Sequence, residues 1–400
     1  MNAREQASTA ARELPVKAVL FANTDWYLYN FRRALALSLQ RAGYEVLLLS
    51  PPGPYGDKLR ALGLRWEPVP MQRRSLNLLR ELALLWHLTQ LLRRERAALI
   101  HGFTIKCAVY GSLAARLAGV PARVNAVAGM GYVFTSSQWK ARLLRPVVRS
   151  LLRLALGGRG TRLILQNADD AELFRRAGLV DPAQIRLIRG SGVDCARFAG
   201  VLPRASDDGC PRVLLASRLL WDKGVDEYVA AIRQLRGQGR SLHALLAGAP
   251  DPGNPAAVPE STIRGWADEG LLTWLGHVDD MTGLLGSVDI VVLPSYREGL
   301  PRTLVEAAAC GLPLITTDVP GCREVVSDGV DGLLVPVRDS DALARAIARL
   351  QDDPPFARRL GDAARRKARA QFDQRIVIRG TLAVYAELCE LPEASIETTI

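Results

Sequence analysis

Ser295 to Cys310, SYREGLPRTLVEAAAC, follows the short apolar run Ile290 to Pro294, IVVLP, and the two together read as strand, loop and helix. Pro301 suits a first helical position, and Gly299 lets backbone come close to a ligand. On that reading Glu298 lies in the loop beyond the strand's carboxyl end, where open α/β sheets bind ligands, and Glu306 lies about two turns into the helix. The free amides of such a helix start suit an anion such as phosphate, and the two acids beside it suit sugar and ribose hydroxyls. Solvated surface glutamates are the plain alternative.

The same rhythm recurs nearby. ASRLLWDKG (Ala216 to Gly224), LGHV (Leu275 to Val278) and GLPLITTDVPGCREVV (Gly311 to Val326) each run from strand through loop towards helix, with strands expected near 213, 242, 271, 289, 312 and 332. The fold class is α/β. These stretches resemble the retaining glycosyltransferases of family 4, whose GT-B architecture faces two Rossmann-like domains across a cleft. The match is tightest over Val213 to Leu350 and looser over Lys17 to Asp194.

That resemblance implies roles. Glu298 meets the donor sugar and Glu306 the ribose, Arg218 and Lys223 neutralise the diphosphate, and the backbone at Val278 meets the base. Gly299, Leu300, Pro301 and Thr303 complete the donor set. The resemblance implies no metal or other cofactor, only a nucleotide sugar, expected to be a UDP-sugar, as co-substrate. It also implies that a terminal helix returns to the first domain. The expected layout is a polar tail over 1–14, an acceptor- and membrane-facing domain over 15–200, a nucleotide-sugar domain over 201–375 and the returning helix over 376–400.

Composition fits a globular chain of two domains: 400 residues, 48% hydrophobic and 23% charged. No apolar run approaches the roughly 20 residues of a spanning helix, and the polar start MNAREQASTAAREL is unlike a secretory signal, so a cytoplasmic protein is expected. Six cysteines without a CxxC pair read as reduced thiols. The net charge of +11 is uneven: residues 1–200 hold 30 Lys/Arg and 13 Asp/Glu, a balance of +17, and the rest carry −6. Between Glu95 and Asp169 lie eleven basic residues and no acid. An anionic partner for the first half follows.

In that half Lys17 to Ala22 (KAVLFA) reads as a first strand, NTDWYLYN as a loop and Phe31 to Ala42 as a helix. The loop resembles the Asn, Trp, Asn-Phe-Arg pattern of family members that build lipid-linked oligosaccharides. Asp25, Trp26, Asn30 and Arg32 are acceptor-side candidates on that ground, with aromatic packing and helix capping as the alternative. Glu45 to Ser50 is the second strand. From Leu76 to Arg96 the pattern predicts an amphipathic helix with Arg80, His87 and Arg94 on one side and Leu78, Leu82, Leu85 and Leu92 on another. His101 closes the strand AALIH, where the resemblance implies contact with the donor sugar; a structural histidine is the alternative. Lys106, just beyond, joins the acceptor candidates.

The segment Val124 to Ser137 reads as a loop over the acceptor, its GMGYVF lacking the third glycine of a dinucleotide site. Arg142, Arg145, Arg149 and Arg153 then share a helical face opposite Leu144, Val147, Leu151 and Leu154, with Pro146 expected to kink or restart the helix. Such a helix suits an anionic bilayer or a lipid carrier's diphosphate, and equally a core with solvated arginines. Leu202 to Pro211 reads as a linker. Asp339-x-Asp341 precedes a helix and reads as its cap rather than a metal site. Phe356 to Leu391 reads as helical.

The expected function is transfer of a hexose or N-acetylhexosamine, with retention, to a polyprenyl-diphosphate saccharide at the inner face of the cytoplasmic membrane. A soluble acceptor is the near alternative. Nucleic acid is not expected, since interleaved aromatics and binding motifs are missing; a nicotinamide enzyme would need a GxGxxG after a first strand.

Overall fold

The computed structural model describes residues 16–72, 75, 77–127, 139–200, 209–251 and 253–389, and the chain divides into two compact units. The first contains the described residues through Leu165, then Leu173–Arg186 and those from Ile378 on; the second contains Gln166–Glu172 and Leu187–Val377.

Seven parallel strands form the first unit's sheet: β1 Lys17–Phe21, β2 Glu45–Ser50, β3 Arg65–Pro68, β4 Leu99–Phe103, β5 Ala122–Ala126, β6 Thr161–Leu165 and β7 Ile185–Leu187, in the order β3-β2-β1-β4-β5-β6-β7. Both faces are covered, which is why the strands read as continuous apolar runs. The order reverses between β1 and β4, so the loops after these two strands flank the switch point. The helices are α1 Asp25–Tyr27, which loosens into a π turn over Leu28–Arg32, α2 Arg33–Arg41, α3 Gly56–Ala61, α4 Leu78–Glu95, α5 Ile105–Ala118, α6 Trp139–Leu156 and α7 Ala168–Arg176.

Three sequence expectations change here. The first helix begins at Asp25, not Phe31, because Thr24 caps it by accepting the Tyr27 amide at 3.1 Å; most of NTDWYLYN is helical. In α4 the buried leucines are Leu84, Leu88, Leu91 and Leu92, whereas Leu78 and Leu82 are exposed. Leucine occupies so many positions that the hydrophobic pattern fits more than one face; the inward-turned Glu81 and Glu95, each ion-paired, fix the real one. In α6 the helix continues through Pro146, and Leu152, Ala155 and Leu156 are buried while Leu151 and Leu154 are exposed.

The second unit's sheet has six parallel strands, β8 Arg212–Ala216, β9 His243–Ala247, β10 Thr273–Gly276, β11 Ile290–Leu293, β12 Leu314–Thr317 and β13 Leu333–Val335, in the order β10-β9-β8-β11-β12-β13. Each expected strand of this half is present within a few residues. The switch point falls between β8 and β11. Helices α8 Cys195–Ala199, α9 Val225–Gly237, α10 Glu260–Asp268, α11 Met281–Gly286, α12 Arg302–Cys310, α13 Cys322–Val325, α14 Ser340–Asp352 and α15 Pro354–Lys367 follow, then a π turn over Ala368–Phe372 and α16 Gln374–Ala386. The expected single helical run from Phe356 is therefore broken at Asp373, whose φ of −59° and ψ of 136° leave the helix.

The expected tail over 1–14, most of the loop up to Ser137 and most of the linker lie outside the described residues. Among the described residues no helix is long and apolar enough to cross a membrane, and all six cysteines are free thiols.

Candidate active site

The loops after β8 and β11, side by side at the switch point of the second unit, are sewn together by backbone. The Tyr296 amide and the Ser295 hydroxyl donate to the Asp222 carbonyl at 2.9 and 3.1 Å. Gly224, at φ 72°, begins α9 so close to β11 that any Cβ would run into the Pro294 carbonyl. This contact places Lys223 opposite Glu298, and the Lys223 ammonium donates to Glu298 Oε1 at 2.5 Å, both side chains about 14% exposed. A lysine ammonium has three N–H donors, of which Glu298 takes one.

The carbonyls of Glu298 and Gly299 lie against Gly321, which at φ 81° also has no room for a side chain. Asn167 Nδ2 donates to the Gly299 carbonyl at 2.8 Å, and Asp170, buried, accepts from Arg297 at 3.0 Å. Both sides of the Glu298 turn are thus fixed. Burial, and then the charge of Glu298, push the Cys322 thiol up to about 12. Leu300 packs against Gly190. Helix α12 starts at Arg302, two residues beyond Leu300, with Pro301 before it and no side-chain cap, so its first amides are open to an anion. Thr303 lies in this first turn, half-buried.

The other donor candidates sit as follows. Arg218 shares the loop after β8 with Lys223 but is mostly exposed and pairs with Asp251 at 3.2 Å. Glu306 is buried on α12 and accepts from Arg302 Nε at 2.6 Å. Val278 is half-buried on the turn after β10 and packs on the same core as Leu300. Asp339 accepts the Ala342 amide at 2.7 Å as the cap of α14, the role expected of it.

In the first unit the candidates cluster around β1 and β4. Asp25 is buried and commits both oxygens to backbone: Oδ1 accepts from Trp26 and Oδ2 from Tyr55 and Gly56, at 2.6 to 3.0 Å. It fastens the loop after β2 to the loop after β1. Trp26 is half-exposed and meets Phe31 edge-on, while Asn30 donates to the Trp26 carbonyl at 3.0 Å. Lys106 gives its ammonium to Glu81 and to the carbonyls of Gln72 and Ser75, holding that segment to α4. Arg149 is exposed on α6; the side chains of Arg142 and Arg145 lie outside the described part.

Arg32 and His101 meet across one ring. Arg32, 4% exposed, lies over Phe103 at 4.3 Å and donates to the Tyr27 hydroxyl at 2.8 Å; His101, 1% exposed, packs tilted against that same Phe103 ring, centroids 4.0 Å apart. His101 Nδ1 is 2.7 Å from the Tyr385 hydroxyl of α16. Burial, then the Arg32 charge, hold the imidazole well below its ordinary value, and burial holds the Tyr385 phenol well above its own. Both groups are therefore neutral, and the bond between the phenol and Nδ1 is compatible with either imidazole tautomer. His101 Nε2, like Arg32 Nε, is buried with no partner among the described residues. Tyr385, 284 positions from His101, carries no local signal of its role, and neither do Asn167 and Asp170; only folding brings them in.

Comparison with known proteins agrees with this architecture. Residues 30–190 match the model of a glycosyl transferase 4-like domain and residues 210–353 that of glycosyl transferases group 1. The chain is 30% identical over 368 residues, 90% of its length and 95% of the relative's, to the N,N'-diacetylbacillosaminyl-diphospho-undecaprenol alpha-1,3-N-acetylgalactosaminyltransferase of Campylobacter jejuni. It is 29% identical, over 77% of its length and 80% of the relative's, to the UDP-Gal:alpha-D-GlcNAc-diphosphoundecaprenol alpha-1,3-galactosyltransferase of Escherichia coli. A glycosyltransferase structure from Rickettsia africae superposes with a TM-score of 0.75 at 18% identity, covering 94% of this chain and all of that one. With two parallel α/β sheets, both family models and a full-length relative in agreement, the chain belongs to the group 1, family 4 glycosyltransferases of GT-B fold.

Proposed function

We propose that this glycosyltransferase moves a hexose or N-acetylhexosamine from a UDP-sugar to a polyprenyl-diphosphate-linked saccharide, with retention of configuration. The observation that carries the reading is the Lys223–Glu298 pair beside the open start of α12. The acceptor class is supported by the undecaprenyl-diphosphate-linked acceptors named for the Campylobacter and Escherichia relatives.

As the sugar–phosphate bond breaks, negative charge grows on the departing diphosphate. Lys223 and the first amides of α12 are fixed before the reaction and stabilise that charge without reorganising. Arg218 reaches the outer phosphate from its exposed position, and Glu298 accepts hydroxyl protons of the sugar and sets its orientation. Glu306 takes the ribose and Val278 packs beside the base. His101 Nε2 and the Arg32 guanidinium supply polar groups at the β1/β4 switch point, His101 towards the transferred sugar and Arg32 towards the acceptor. No second carboxylate of the proposed set is left as a nucleophile, since Glu306 is held by Arg302; front-face attack by the acceptor hydroxyl accounts for retention without a glycosyl-enzyme. The acid-free run from Arg96 to Ala168 supports an anionic membrane surface as the working location.

The test is turnover of UDP-sugars with a short polyprenyl-diphosphate glycan. Lys223→Ala and Glu298→Ala are expected to lower kcat by about 10²–10³, the usual cost of one fixed charge-stabilising donor. Normal turnover by either variant overturns the reading.

A further inference from the structure

Helices α4, α5 and α6 pack side by side, with α5 in the middle. Of the fifteen large apolar side chains exposed among the described residues, seven belong to these three helices. Four lie on α4 at Leu78, Leu79, Leu82 and Trp86, which are 71, 78, 52 and 67% exposed. Their spacing of one, four and eight puts them on a single helical face. Arg93 continues that face, and its guanidinium reaches the carbonyl of Leu117, itself exposed at the end of α5. Leu151 and Leu154 extend the exposed apolar surface onto α6.

The charges of this layer have one sign. Arg80, Arg93, Arg94, Arg116, Arg149 and Arg153 are exposed on it. Neither α5 nor α6 contains an acid, and the two acids of α4 are turned inward, Glu81 onto Lys106 and Glu95 onto Lys17 and Arg65. No acid on these helices is left facing solvent.

We propose that the exposed face of α4, continued by α5 and α6, docks on an anionic lipid bilayer. Leu78, Leu79, Leu82 and Trp86 enter the headgroup–acyl boundary, and the arginines lie among the lipid phosphates. Leucine and tryptophan on one side of a helix with arginines alongside is the pattern of an interfacial helix, and an apolar surface of this extent on a soluble unit marks a contact face. A second copy of the chain fits worse, since a twofold contact through the same face would set arginine against arginine with no carboxylate between them. The assignment gives a location to the membrane association in the proposed function, and rests on that reading only for its purpose, because binding to lipid needs neither donor nor acceptor.

The experiment is vesicle co-sedimentation of the full-length protein with phosphatidylcholine vesicles containing 30% or no phosphatidylglycerol, together with quenching of tryptophan by acyl-chain-brominated phosphatidylcholine. Binding is expected only with phosphatidylglycerol present, weakening with salt. Leu79→Glu with Leu82→Glu lowers the partition coefficient at least tenfold, and Trp86→Phe abolishes most of the bromine quenching. Turnover of a UDP-sugar with a water-soluble short-chain acceptor stays at the wild-type level in both variants. The docking face is overturned if wild type ignores anionic vesicles, if the double variant binds as well as wild type, or if wild type is a dimer in sedimentation that the double variant splits. Loss of transfer with intact vesicle binding would sink the proposed function and leave this surface standing.

Discussion

Single groups set the terms of the proposed chemistry. His101 is buried and neutral because desolvation and the nearby Arg32 both oppose its proton. Its folded-state pKa lies below the value near 6.5 of the unfolded chain, so the unfolded state takes up the proton first as pH falls. The stability it contributes is complete above about pH 6.5 and is lost as pH drops below that value. Urea midpoints at pH 7.5 and 5.5 will show a larger acid-side loss in wild type than in His101→Gln. Tyr385→Phe removes the only described partner of Nδ1. The expected result is a kcat lowered about tenfold with donor KM nearly unchanged, since a freed imidazole loses orientation more than affinity; nitrogen NMR of the four histidines will show a single tautomer of His101 in wild type and mixed tautomers in the variant.

At the scale of elements, two contacts decide the geometry. Gly224→Ala forces a Cβ onto the Pro294 carbonyl and parts the loops that present Lys223 and Glu298. Activity is expected to fall at least tenfold, with about 2–4 kcal/mol of stability lost in urea unfolding. Glu95, at the end of α4, binds Arg65, Lys17 and Arg94 from two strands and its own helix, and the Arg65 hydrogen bonds above all lower its carboxyl to about 2. Stability from this group is full above its unfolded value of about 4.5 and fades as pH falls towards 2, so Glu95→Gln should cost about 2–3 kcal/mol at pH 7 and little near pH 2.5. Elements of this kind were readable in part. The strands of the second half and the Glu298 turn stood out because a buried parallel strand followed by a Gly-Leu-Pro turn and a helix leaves a local pattern. The inward face of α4 did not, because its choice depends on Lys17, Arg65 and Lys106, far away in sequence. On α6 the spacing put Leu151 and Leu154 opposite the arginines but left open what covers them, and both are exposed: amphipathic spacing identifies an apolar face without saying what packs on it.

For the whole molecule, family membership follows from matched residues across both halves and a full-length relative, whereas sugar and acceptor belong to the proposal. Charge was legible from the start, +17 in residues 1–200 against −6 in the remainder, and the proposed membrane setting of the first half rests on it. The most direct test is incubation of the purified protein with a panel of UDP-hexoses and UDP-N-acetylhexosamines and a short polyprenyl-diphosphate saccharide, followed by mass spectrometry and anomeric NMR of the lipid product. Wild type is expected to add one sugar, joined through an α linkage from an α-configured donor, and Lys223→Ala at least a hundredfold less. A β-linked product, or equal product from Lys223→Ala, would contradict the proposed function.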